Sequence, residues 1–229
     1  MFESISQQFR GACMMLVRDD GHQVAFLGTA FLVHDHGYLL TAAHLVHEVD
    51  NLCVAPTETD AEFFPLTYPQ IVARSVHVAQ IDHAHDVALL KITQEVEISV
   101  PDDFLGTTTT LHSGGSVVSL GYAFGHEQIH TILTATAIIS AKIRTPNGTN
   151  LLLFNHLAHA GDIGGPLINA ADGHIVGVVN GRFDPAEIFQ HNLERQLPSN
   201  INLSYAVAIE YGLALMGQEG ILPQPPSGS

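Results

Sequence analysis

The chain has 229 residues, 46 % hydrophobic and only 14 % charged, and its 8 Lys and Arg against 23 Asp and Glu leave a formal net charge of −15 at pH 7. Charge this sparse, set against roughly 25 % in an average globular chain, excludes a largely disordered protein and implies a large interior. Basic residues so few and scattered cannot line a phosphate backbone, which excludes nucleic acid as a partner.

No apolar run approaches the roughly 18 residues of a membrane helix, and the opening MFESISQQFRGACMM lacks the basic start and apolar core of a secretory signal. A cytoplasmic chain with no membrane partner is the expectation. Cys13 and Cys53 each sit in an apolar run and read as buried free thiols. A disulfide between them is open but not implied, and the absence of C-x-x-C excludes a thiolate zinc site.

In chain order, apolar and β-branched runs recur between turn residues: VAFLGTAFLV, YLLTAAHLV, IVARSVHVAQI, DVALLKI, SVVSLGYAF, TILTATAIISAKI, LLLF and HIVGVVNG. Such runs read as short strands, with hairpin turns at Asp19-Asp20-Gly21, His36-Gly37, Pro146-Asn147-Gly148 and Ala171-Asp172-Gly173. Helix is expected only in TAAHLVHEV, after Leu40, and in IEYGLALMGQ, where Ile209, Leu213 and Met216 share a face that would pack on the second half. The segment PDDFLGTTTT reads as a linker. The expected class is therefore all-β, in two halves, residues 1–105 and 106–218, built as paired barrels or a two-layer sandwich. Residues 219–229, ending in PQPPSGS, read as a flexible tail.

Three segments carry chemistry when taken together: GTAFLVHDHGYLLTAAHLV around His44, HAHDVALLKI around Asp86, and HAGDIGGPLIN around Ile163. In this order they resemble the trypsin-like serine protease family, where T-A-A-H bears a general base, an aspartate opening a strand orients it, and G-D-S-G-G-P carries the nucleophile. SLGYAFG, DGHIVGVVNG and SYAVAIE extend the likeness from about Gly11 to Met216, and the chain resembles the bacterial branch, including high-temperature-requirement proteases without their PDZ domains. The resemblance implies two six-stranded antiparallel β-barrels with a short C-terminal helix.

It also implies roles. His44 would accept the proton of a serine hydroxyl, Asp86 would fix the imidazole's tautomer, and the backbone N–H groups of Gly161 and residue 163 would face the developing oxyanion. Leu157, Ala158, His159 and Ala160 would wall the specificity pocket, with Leu157 at its base favouring an apolar or small side chain. Val178, Val179, Asn180, Gly181 and Arg182 would form the strand that pairs with a bound peptide or protein.

The sequence departs from the family at the decisive position. Ile163 stands where the serine belongs, and isoleucine has neither a proton to give nor a lone pair to attack with. A second departure concerns Asp162. Cleavage-activated members pair this aspartate with a new N-terminal amine, whereas here a backbone N–H, a basic side chain or simple capping of the turn would have to serve.

The chain also holds 15 histidines, several closely spaced: His34 with His36, His44 with His47, His83 with His85, and His156 with His159. On a strand, H-x-H places two rings on one face, yet no acidic or thiol third ligand has a recognisable spacing, so no metal or other cofactor is assigned. The first reading is thus a catalytically silent trypsin-like domain that binds peptide or protein in the old substrate groove. The second is a serine endopeptidase whose nucleophile has been replaced at Ile163, and the third a histidine-based metal-binding protein.

Overall fold

The structure, a computed structural model, describes residues 1–57, 63–68, 71–96, 98–101, 103–184 and 202–222. The proline-rich end of the expected tail, residues 223–229, lies outside them. Six strands close the first barrel: β1 (Cys13–Asp19), β2 (Val24–His34), β3 (Tyr38–Thr41), β4 (Leu52–Ala55), β5 (Arg74–Asp82) and β6 (Val87–Ile92). Six more close the second: β7 (Ser116–Gly121), β8 (Leu133–Arg144), β9 (Asn150–Phe154), β10 (Pro166–Asn169), β11 (Ile175–Arg182) and β12 (Ser204–Ala208). Around the barrels the orders are β1-β2-β3-β6-β5-β4 and β10-β11-β12-β9-β8-β7, with every pairing antiparallel. The double barrel, not the sandwich, is realised.

Many strands are apolar on both faces, and the architecture explains it. Along β1, Met14 and Leu16 point into the first barrel's core, whereas Cys13, Met15 and Val17 join a separate cluster that also takes Val118, Tyr122 and Ile168 from the second barrel. Side chains alternate between faces with period two, so a strand between two cores loses its polar face. Both cysteines are buried free thiols.

The hairpin turns fall where Gly21, Gly37, Gly148 and Gly173 take positive φ, joining β1 to β2, β2 to β3, β8 to β9 and β10 to β11. The helix expected over TAAHLVHEV is only a 3-10 turn, Ala43–Leu45. Its backbone leaves helical space at Glu48 and Asn51, both at φ 55°, and the His44 N–H is spent on Asp86 rather than on a helical carbonyl.

Two helices complete the fold, α1 (Phe2–Arg10) and α2 (Ile209–Gln218). Helix α1 is absent from the sequence reading, although Ile5 and Phe9, four apart and both buried, mark its apolar face. It lies towards the second barrel, with the Ser6 and Thr134 hydroxyls 2.8 Å apart. Helix α2 corrects another expectation, because it seats on the first barrel as well as on β11. A Cβ at Gly212 would come within 2.6 Å of Leu40 Cδ1, and Leu213 is only partly buried while Leu215 is buried. Each terminal helix thus straps its chain end to the opposite barrel.

The expected linker is docked. Phe104 is buried and its ring lies 6.3 Å from that of Phe9, Leu105 bridges to Ile175, and the Glu210 carboxylate accepts from the Thr107 hydroxyl and from both the N–H and hydroxyl of Thr108. Among the described residues no helix is long and apolar enough to cross a membrane.

Candidate functional site

His44 sits in the 3-10 turn after β3, and Asp86 in the turn before β6. The pairing of β3 with β6, Thr41 opposite Ala88, brings those two turns together. Asp86 takes φ 56°, a left-handed conformation that aspartate tolerates better than most residues. Its Oδ2 lies 2.7 Å from His44 Nδ1, its Oδ1 accepts the His44 N–H at 2.8 Å, and Asn180 Nδ2 donates both to Oδ2 at 2.8 Å and to the Asp86 carbonyl at 2.9 Å. The residue is thus held at two points, its backbone N–H and its imidazole Nδ1.

Asn180, in the expected substrate strand, sends its side chain back from the second barrel to Asp86, a contact that leaves its main chain unspent, and its own Oδ1 is buried without a partner. The backbones of Val178 and Val179 are spent inside the barrel. Val178 pairs with Pro166, while Val179 N–H donates to Gly165 O at 2.8 Å and Val179 O accepts from Gly164 N–H at 2.7 Å. Among the described residues this leaves Asn180, Gly181 and Arg182 at the end of β11, the last two paired on one side with Tyr205 and Ser204.

The turn from Gly161 to Pro166 is locked from the first barrel by a residue the sequence reading passed over. Thr29, fully buried on β2, donates its N–H to Ile163 O at 2.8 Å and its hydroxyl to Gly161 O at 2.7 Å, and its Oγ1 accepts the Tyr122 N–H at 3.1 Å. Thr41 then donates its hydroxyl to Thr29 O at 2.7 Å. Gly164, at φ 87°, threads between these two threonines. The G-T of β2 was legible as part of the family likeness, but its role as a clamp needs the contact between barrels.

One of the two oxyanion donors that the sequence suggests is engaged within the turn. Residues Ala160–Asp162 form a 3-10 turn, in which Ile163 N–H points back to Ala160 O at 3.4 Å and Asp162 N–H to His159 O at 3.0 Å. To meet a developing oxyanion, the Ile163 N–H would have to leave the Ala160 carbonyl.

The groove beside the turn is filled by the chain itself. Ile163 Cδ1 lies 3.7 Å from where a Cβ on Gly181 would stand, so the isoleucine sits beside the end of β11. Arg182 Nε donates to Ala158 O at 3.3 Å, crossing to the wall formed by Leu157, Ala158, His159 and Ala160, and Ala158 N–H is held by Ser204 Oγ at 2.9 Å. Leu157 is half-buried and Ala158 buried, while Ala160 faces outward.

The two carboxylates respond oppositely to their surroundings. Burial pushes Asp86 up, but the hydrogen bond and charge of His44, the Asn180 amide and the His44 N–H together outweigh it and leave it below the ordinary range. Asp162 is raised by burial, which the His159 N–H and the charges of His156 and His159 only partly offset. Its partner is that backbone N–H, at 2.9 Å, so it caps the turn.

A pKa lowered on folding adds stability above the unfolded value and loses it as pH falls through the folded one; a raised pKa favours the protonated, acidic side and loses its contribution as pH rises. Asp162→Asn, which keeps an oxygen for His159 N–H, is thus expected to be more stable than the parent near about pH 7, the gap closing towards about pH 4. Asp86→Asn is expected to be less stable at neutral pH and to converge with the parent on acidification. Urea midpoints across that range check both, and pH-independent offsets would contradict the assignment.

Two closed antiparallel barrels, with a His–Asp pair from one and a glycine-rich turn from the other facing a cleft, define a trypsin-like double-barrel peptidase scaffold. The chain belongs to the trypsin-like peptidase family: the family model described as Trypsin-like peptidase domain matches residues 28–178. It is 31 % identical over 154 residues to the mitochondrial serine protease HTRA2 of Drosophila grimshawi, covering 66 % of this chain and 33 % of that one. It is 27 % identical over 179 residues to the magnetosome formation protease MamE of Magnetospirillum gryphiswaldense, covering 76 % and 21 %. With a probable periplasmic DegP-like endoprotease of Pseudomonas savastanoi it shares 27 % over 203 residues, covering 87 % and 36 %. The chain therefore spans at most 36 % of these relatives' length.

Among solved structures, the HtrA-type protease AlgW with a decapeptide superposes at a TM-score of 0.71 and 19 % identity, over 95 % of this chain and 67 % of that one. The MamO protease domain of Magnetospirillum magneticum superposes at 0.65 and 18 % identity, over 90 % and 96 %. At these identities the likeness is one of fold.

Proposed function

We propose that this chain is a catalytically silent HtrA-type domain that binds an extended peptide segment along the free end of β11. The observation that carries the reading is Ile163. It stands in the glycine-rich turn without a proton or lone pair, its N–H is turned to Ala160 O, and its side chain lies beside Gly181. His44, poised by Asp86, has no group to activate. Peptide addition needs only main-chain donors and acceptors, and the structurally similar AlgW is described with decapeptide and tripeptide. A peptide entering here displaces Arg182 from Ala158 O and slides over Ile163.

The test uses the chain and its Ile163→Ser variant, with a fluorophosphonate probe, a mixed peptide library and fluorescence anisotropy of labelled decapeptides. The parent is expected to take no label and cleave nothing while binding a subset of the decapeptides. The serine variant is expected to label only slowly, because one oxyanion donor remains engaged. Rapid labelling and cleavage by the serine variant would instead favour the second reading, an endopeptidase whose nucleophile has been replaced. Failure of the parent to bind any peptide would sink the binding half.

A further inference from the structure

Away from the cleft, the β2–β3 hairpin carries the sequence His34-Asp35-His36-Gly37. Its turn is tight and fixed: Gly37 N–H donates to His34 O at 3.0 Å, Gly37 takes φ 77°, and Gly37 O accepts from Ile92 N–H at 3.0 Å. Among the described residues this is where three ligand-type side chains converge, their donor atoms all within 4.8 Å of one another. From Thr29, which touches the glycine turn, His34 lies five residues further along β2, roughly 17 Å at about 3.3 Å per residue.

The sequence reading set the histidine pairs aside for want of a third ligand. One of those pairs separates: His83 packs edge-on against His47 while His85 turns away to stack on Tyr211, so the two share no face. The hairpin supplies what the others lack, because its turn folds the intervening carboxylate in between the two rings. Asp35 Oδ1 lies 2.8 Å from His34 Nδ1 and 3.9 Å from His36 Nε2.

The hydrogen bonding asks two things of one nitrogen, His34 Nδ1. His36 N–H donates to His34 Nδ1 at 3.1 Å, which assigns that nitrogen a lone pair, yet the same nitrogen faces the Asp35 carboxylate oxygen at 2.8 Å. Two acceptors at that separation repel unless a proton or a cation lies between them. A proton on Nδ1 satisfies Asp35 and sacrifices the His36 N–H contact; a metal ion can satisfy both rings and the carboxylate together, leaving an exposed N–H to water.

We infer that His34, Asp35 and His36 form a binding site for a borderline divalent transition-metal ion of the zinc type. Imidazole nitrogens with one carboxylate select such ions over magnesium or calcium. Tetrahedral binding at about 2.0–2.2 Å sets ligand atoms about 3.3 Å apart, between the two measured separations, and His36, exposed at the turn, rotates to close the longer one. His34 is held by its edge-on contact with the Tyr38 ring, over which Lys91 sits, so one ligand is preset and one adjusts. The fourth position opens to solvent. The surrounding charge of −15 raises the local cation concentration.

The site is tested on the full chain with zinc chloride alone by isothermal titration calorimetry, and with copper(II) by loss of amide signals in nitrogen-15 NMR spectra. One equivalent of zinc is expected to bind, with signals lost first around residues 33–38. His36→Ala, at an exposed turn position, is expected to keep its unfolding midpoint and weaken binding by at least about tenfold. Asp35→Asn is expected to weaken it less, and His112→Ala, at an exposed residue of the second half, not at all. Equal affinity in parent and His36→Ala, copper broadening centred elsewhere, or no zinc heat would each overturn the inference.

Discussion

Gly164→Ala is expected to cost this chain about 2–5 kcal/mol of folding stability, whereas Gly173→Ala costs only about 1–2 kcal/mol. The two glycines share a left-handed backbone, φ 87° and 77°, so the conformational part of the penalty is common to both. Their surroundings differ completely. A Cβ on Gly164 would stand 2.0 Å from Thr29 O and 2.3 Å from Thr41 Oγ1, while nothing lies within 4 Å of one on Gly173. Thr29 O cannot retreat, because it accepts the Thr41 hydroxyl and belongs to the strand that also holds Ile163 O. Domains of ordinary size have only about 5–15 kcal/mol to lose, so the Gly164 variant approaches the limit of a foldable chain. Urea unfolding of the two variants side by side measures the difference. Equal losses would mean that the turn gives way and that the seam between the barrels is soft.

Much of the barrel architecture and one half of the site were legible because they rest on local signals. Glycine and aspartate turns announce hairpins, and T-A-A-H and H-D-V-A-L-L place His44 just after one strand and Asp86 just before another. What the sequence hid depends on the second barrel meeting the first. Asn180 sits in a run of apolar strand residues and reads as substrate strand. Only the 2.8 Å contact to Asp86 shows that its side chain steadies the His–Asp pair. The state of the oxyanion turn is hidden for a related reason: G-D-I-G-G-P is compatible with a donor pair facing the cleft or with a 3-10 turn that engages one of them, and residue types alone do not choose. The docked segment Phe104–Leu111 looked like a linker because its threonines find their partner, Glu210, about a hundred residues later in sequence.

Thr29→Val follows from the same seam and is expected to cost about 2–4 kcal/mol, although valine matches threonine in shape. The change removes no packing. It takes away one oxygen that serves two buried groups, the Tyr122 N–H at 3.1 Å and the Gly161 carbonyl at 2.7 Å, and both lose their partner in a place water does not reach. A Thr29→Ser variant keeps the oxygen and loses a methyl group, so it is expected to stay within about 1–1.5 kcal/mol of the parent. The contrast isolates the hydrogen bonds from the volume. It also has a site-specific signature. Gly161 O is one end of the 3-10 turn over Ala160–Asp162, so freeing it in the valine variant loosens that turn, and amide exchange at Gly161, Asp162 and Ile163 is expected to accelerate more than exchange in β8 or β9. Uniform acceleration throughout the second barrel would mean that Thr29 supports the fold at large and has no particular hold on the turn. Selective acceleration at those three residues ties the conformation of the glycine-rich turn to a single hydroxyl donated from the opposite barrel.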